Sequence, residues 1–158
     1  VIGTVGSPAK AELARAHGCD HVINYASENF TQRVRDITGG KGVAVVYDGV
    51  GKDTFTGSLD SLRPMGMMVS YGNASGPVPP VDLILLSQKG SLFITRPTLM
   101  TYTAQRADLL ELGRELFDRV ASGQLRIEVN QRYALRDAAQ AHRDLEARKT
   151  TGSTILLP

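Results

Sequence analysis

The chain has 158 residues, enough for a sizeable core, of which 42% are hydrophobic and 22% charged. A net charge of +2 is too small to point to nucleic acid, and no apolar run approaches the length of a membrane span. The single cysteine, Cys19, excludes an internal disulfide and a thiolate zinc cluster, and the composition fits a cytoplasmic protein.

The apolar run Val1-Ile2-Gly3-Thr4-Val5 reads as a buried strand that passes through Gly6-Ser7 into a helix. Ser7 is an N-cap candidate, Pro8 suits a first helical turn, and Gly18 ends the helix. His21 to Tyr25 predicts a second strand. Phe30, Val34 and Ile37 mark a second helix, closed by Gly39-Gly40-Lys41-Gly42. Val43 to Tyr47 predicts a strand buried on both faces of a parallel sheet. Phe55, Leu59 and Leu62 follow at helical spacing, then Met67 to Tyr71 predicts another strand. Pro77 to Pro80 reads as a loop, Leu83 to Leu86 as a short helix, and Leu92 to Thr95 as a strand ended by Pro97. Farther on, Leu109, Leu112, Leu116 and Val120 line one face of a long helix stopped by Gly123. A strand at Val129 to Ala134, a helix at Arg136 to Arg148 and a strand at Thr154 to Leu157 complete the chain. This alternation predicts an α/β fold with a doubly wound parallel sheet.

Ligands of open α/β sheets bind beyond the carboxyl ends of the strands. Three predicted strand ends are rich in small residues: Gly6-Ser7, Gly49-Val50-Gly51 and Gly72-Asn73-Ala74-Ser75-Gly76. One such loop is what any turn uses; three at one edge predict a nucleotide crevice. Between Gly6 and Lys10 there is no carboxylate to bind ribose hydroxyls, whereas Lys10 would attract a 2′-phosphate. Alone, Lys10 reads as a solvated lysine, but the first turn of a helix disfavours a cation and so favours a functional role. Tyr25 reads equally as a half-buried strand tyrosine or as a cover for adenine whose hydroxyl reaches a phosphate. His17, His21 and His142 lack metal-ligand spacing, and no catalytic triad or carboxylate pair stands out, so no catalytic or metal-binding residue is assigned. Cys19 reads as a small structural thiol.

Several segments together resemble the C-terminal half of quinone oxidoreductases of the zeta-crystallin type, zinc-free members of the medium-chain dehydrogenase/reductase superfamily. They are Ile2 to Gly6, Val22 to Tyr25, Ile37 to Gly40, Val45 to Gly51, Ser70 to Gly76, Lys89 to Pro97, Asp137 to His142 and Gly152 to Thr154. The resemblance covers essentially the whole chain. It implies a partial Rossmann-like domain at residues 1–122, including the long closing helix. Residues 123–158 would return to a GroES-like catalytic domain. It implies an NADPH-dependent reductase of quinones or similar conjugated carbonyls. Gly6, Ser7, Lys10 and Tyr25 would then hold the 2′-phosphate end, with Arg148 reaching it from the C-terminal segment. Val50 would approach the nicotinamide side, Tyr71, Gly72 and Ser75 would line the groove, and Phe93 and Thr95 would lie near the nicotinamide. The Leu92 to Thr95 edge strand would form a homodimer.

The glycine-rich pyrophosphate loop and the first strand of such a domain are absent from the 158 residues, so the chain is expected to be part of a longer polypeptide. Two other functions are consistent with the same residues. One is an enoyl reductase domain of a multifunctional synthase; the other is a non-catalytic NADPH-binding, crystallin-like protein. The lack of basic patches with interleaved aromatics argues against RNA as the main partner.

Overall fold

Ser7 sets the first turn of the chain. In the computed structural model, which describes residues 1–158, its backbone is extended and its side chain accepts the Lys10 N–H at 3.4 Å. That is the N-cap predicted from the sequence. It joins strand β1 (Ile2–Val5) to helix α1 (Pro8–Ala16). Strand β2 (His21–Asn24) lies parallel to β1, Ile2 opposite His21 and Val5 opposite Asn24. Cys19 is half-buried, and its Sγ takes the space that a side chain at Gly3 would need.

Helix α2 (Phe30–Ile37) is capped by Asn29, whose side chain accepts the Gln32 N–H at 3.1 Å. Strand β3 (Val43–Asp48), helix α3 (Phe55–Asp60), strand β4 (Leu62–Ser70), helix α4 (Ile84–Gln88) and strand β5 (Phe93–Thr95) follow. They build a second parallel sheet in the order β3-β4-β5. The β1-β2 pair is not hydrogen-bonded to it. The Arg35 guanidinium braces the ends of the neighbouring elements, donating to the carbonyls of Gly40, Asp60 and Leu62 at 2.6–3.0 Å.

Two sequence expectations change here. Leu62 begins β4 instead of closing α3: it pairs with Val43 and is 1% exposed. The strand β3 is also not buried on both faces. It has a strand partner on one side only, and a register shift between Val43 and Val45 turns Val43 and Val46 toward the core. That core is Phe55, Leu59, Leu62, Met68 and Leu92. Tyr47 is 73% exposed.

The chain divides into two compact units, Val1–Thr101 and Tyr102–Pro158. Helix α5 (Leu99–Tyr102) falls at the division. The second unit contains helix α6 (Arg106–Ala121), strand β6 (Val129–Ala134), a 3-10 turn (Leu135–Asp137), helix α7 (Ala138–Glu146) and strand β7 (Ser153–Leu157). Helix α6 falls within this second unit. Strands β6 and β7 are parallel neighbours, and the Tyr133 hydroxyl donates to Asp144 Oδ2 on α7 at 3.0 Å. The leucine stripe of α6 lies on a real helix but is not covered; Leu109, Leu112 and Leu116 are all exposed. No helix is long and apolar enough to cross a membrane.

Candidate functional site

The carboxyl ends of the strands in the first unit use one device twice. Tyr25 follows the last residue of β2, and its hydroxyl sits where a Cβ on Gly6 would be, 2.8 Å away. Tyr71 follows the last residue of β4, and its ring occupies the equivalent space over Gly49, at 2.9 Å. Each tyrosine is thus one position past the strand the sequence assigned it to, held by its own N–H: Tyr25 donates to the Val5 carbonyl at 3.0 Å and Tyr71 to the Asp48 carbonyl at 2.9 Å. A glycine after β1 and another after β3 let an aromatic ring lie across the strand end. Both rings keep a solvent-facing side, and both tyrosines are exposed.

Around Gly6 the structure gathers four of the predicted residues. The Tyr25 hydroxyl lies over Gly6, Ser7 caps α1, and Lys10 sits in the first turn of that helix. No acidic residue occupies that turn. The polar groups of this corner are the Ser7 and Tyr25 hydroxyls and the lysine in the first turn; the helix start itself has few N–H groups to spare, because Pro8 has none and Ser7 Oγ takes that of Lys10.

The second group centres on Val50. Its N–H donates to Asp48 Oδ1 at 2.8 Å, and its carbonyl accepts from the Ser75 N–H at 2.8 Å and the Ser75 hydroxyl at 2.9 Å. Ser75 Oγ in turn accepts the Asp53 N–H at 3.0 Å. Ser75 is therefore the tie between the loop after β3 and the loop after β4. Gly72 packs directly on the Gly49 backbone. Arg96, just past β5, donates to the carbonyls of Ser70 and Gly72 at 3.1 Å and to the Ser70 hydroxyl at 3.2 Å. Thr95 pairs with Val69 in the sheet, and Phe93 is exposed on the edge strand.

Asp48 is the polar centre that sequence reading passed over. It is 4% exposed and accepts from the Val50 and Gly51 N–H groups and from the Thr54 and Ser58 hydroxyls, at 2.7–3.0 Å. Burial works against its ionisation. The Gly51 N–H, the two hydroxyls and the Val50 N–H outweigh that and hold the carboxyl below its usual value. A lowered native pKa contributes stability that is complete above the unfolded-state value and is lost as pH falls through the native one. Stability measured by denaturant is therefore expected to drop from about pH 4 downward. The Asp48→Asn variant should start less stable and show a flatter acid limb; an equally steep limb would remove Asp48 from the acid response.

Of the remaining predicted residues, Arg148 belongs to the second unit, where it follows α7 with a left-handed backbone, φ 57°. No group of three or more His, Cys, Asp or Glu residues is arranged to hold a metal ion.

The zinc-binding dehydrogenase family model matches residues 17–156. A quinone oxidoreductase of Pseudomonas aeruginosa is 56% identical over 158 residues, all of this chain and 49% of that protein. A 2-haloacrylate reductase of a Burkholderia species is 51% identical over 159 residues, all of this chain and 48% of that protein. Among solved structures, Escherichia coli quinone oxidoreductase complexed with NADPH superposes with a TM-score of 0.96 at 50% identity, covering 99% of this chain and 49% of that one. The chain thus spans about half the length of the relatives it matches.

Proposed function

We propose, for a chain that belongs to the zinc-binding dehydrogenase family, the role of the NADPH-binding half of a reductase acting on quinones or related conjugated carbonyls. The observation that carries this reading is the phosphate-suited cluster of Ser7, Lys10 and Tyr25 around Gly6, with no acid in the turn. An NAD-selective site would place a carboxylate there. The relative complexed with NADPH supports the same cofactor for this chain.

In this reading Gly6, Ser7, Lys10 and Tyr25 hold the 2′-phosphate end. Tyr71, Gly72 and Ser75 line the groove, Val50 faces the nicotinamide, and Phe93 and Thr95 lie near it. When bound, NADPH supplies a hydride which, with one proton from solvent, reduces the conjugated carbonyl. The chain's contribution is position: tied loops that keep the reacting carbon at a fixed distance from its acceptor. The relatives' named substrates, a quinone and a 2-haloacrylate, share a carbon–carbon double bond conjugated to a carbonyl, and that is the substrate class we assign. Despite the family's descriptor, the residues of this chain do not fit a zinc ion, and no step is routed through one. The same reading includes a longer polypeptide in the cytoplasm that forms a homodimer through the Leu92 to Thr95 edge.

The test follows NADPH absorbance in the full polypeptide with a panel of benzoquinones, 2-chloroacrylate and simple enones. Oxidation of NADPH by at least one class, with NADH much weaker, is the expected result. Binding of NADPH with no oxidation by any acceptor would instead support the non-catalytic, crystallin-like reading.

A further inference from the structure

We propose that Asp48 is a positioning residue for hydride transfer: its buried carboxylate fixes the Val50 peptide so that this loop meets the nicotinamide through hydrocarbon alone. The inference rests on the cofactor reading above and goes beyond it, because Asp48 itself touches no proposed ligand.

The Val50 peptide has no polar atom left to offer. Its N–H is held by Asp48 at 2.8 Å, and its carbonyl accepts two hydrogen bonds from Ser75 at 2.8 and 2.9 Å. Asp48 Oδ1 also takes the Gly51 N–H at 2.9 Å, so two successive peptides converge on one oxygen. The other oxygen is anchored to α3, accepting Thr54 Oγ1 at 2.8 Å and Ser58 Oγ at 2.7 Å. Thr54 and Ser58 are four residues apart, so one helical face carries both anchors. The carboxylate, 4% exposed, therefore ties a loop to a helix through four charge-assisted hydrogen bonds, and such bonds are strong and short. A loop fixed this way presents a wall without competing donors, and the wall has one position. A displacement of about 1 Å between reacting groups lowers a rate by about 100-fold.

An asparagine at this position has the same shape but one acceptor oxygen. The Thr54 and Ser58 hydroxyls can rotate to accept from its amide, so the fold survives while the loop loses a fixed anchor. In the full polypeptide, Asp48→Asn is expected to bind NADPH within about threefold of wild type and to lose at least about tenfold in kcat. KM for the acceptor should change little. With NADPH deuterated at the transferred position, its primary isotope effect should rise, because hydride transfer becomes rate-limiting. A folded variant with unchanged kcat and isotope effect would overturn the proposal. So would a fall in kcat that merely tracks loss of thermal stability and NADPH affinity. If Asp48→Asn fails to fold, Ser58→Ala removes one anchor only, and the same pair of measurements decides. Wild-type protein that does not bind NADPH would sink the cofactor reading and this proposal together. NADPH binding with an unaltered Asp48→Asn rate would sink this proposal alone.

Discussion

Replacing Gly72 by alanine is expected to lower the unfolding stability of the full polypeptide by about 3 kcal/mol, or about 5 °C in Tm. The reason is backbone against backbone. A Cβ on Gly72 would strike the Gly49 carbonyl oxygen, with Gly49 C and Cα at 2.8 Å. A flexible side chain could swing aside, but Gly49 cannot. The Asp48 carbonyl next to it accepts the Tyr71 N–H, and its own carbonyl accepts the Ala74 N–H at 3.3 Å. Relief would require the loops after β3 and β4 to part, breaking the two Ser75 bonds to the Val50 carbonyl. NADPH affinity should therefore fall along with stability. Chemical denaturation and fluorescence titration read the two effects. A variant with wild-type Tm would show that these loops yield more easily than their packing implies.

The same region shows what the sequence could disclose. The three glycine-bearing strand ends were legible because the apolar runs before them are unmistakable. Ser7 was legible as a cap because a hydroxyl precedes Pro8. The α/β order followed from period and punctuation, and the parallel pairings agree with it. Leu62 was misplaced because 55, 59 and 62 fit a helical face as well as they fit what happens. Pairing with Val43, a tertiary event, decided it. Exposure of Tyr47 was invisible for a similar reason, since an apolar run does not say how many neighbours its strand has. Asp48 was missed because Asp-Gly-Val-Gly has the composition of any turn. A signal existed: Thr54 and Ser58 at helical spacing, with Asp48 six residues before the first of them. Arg96 carried no local signal, because its three acceptors lie 24 and 26 residues away.

Reversing the charge at Lys10 is the change with the largest expected effect on ligand choice. Lys10 lies in the first turn of α1, close to the Ser7 cap and to Gly6, over which the Tyr25 hydroxyl is placed. A 2′-phosphate in this position would gain a charge-assisted contact with the ammonium and a hydrogen bond from a nearby hydroxyl. In Lys10→Glu the phosphate would meet a carboxylate instead, while an unphosphorylated ribose would meet an acceptor for its hydroxyls. The two effects act in opposite directions on the two cofactors. Selectivity for NADPH over NADH should therefore fall by about 100-fold, with about 1.4 kcal/mol for each tenfold. Stability should be little altered, and if anything improved, because an acid suits the first turn of a helix better than a base. That combination separates a ligand-binding lysine from a structural one. Lysine to methionine, which removes charge without reversing it, should give an intermediate loss and little gain for NADH. The ratio of kcat/KM for the two cofactors in the full polypeptide is the deciding measurement. An unchanged ratio in Lys10→Glu would move the phosphate away from this helix start, whatever cofactor the protein uses. A ratio that falls only through the NADPH limb would keep the phosphate there but deny the glutamate its contact with ribose.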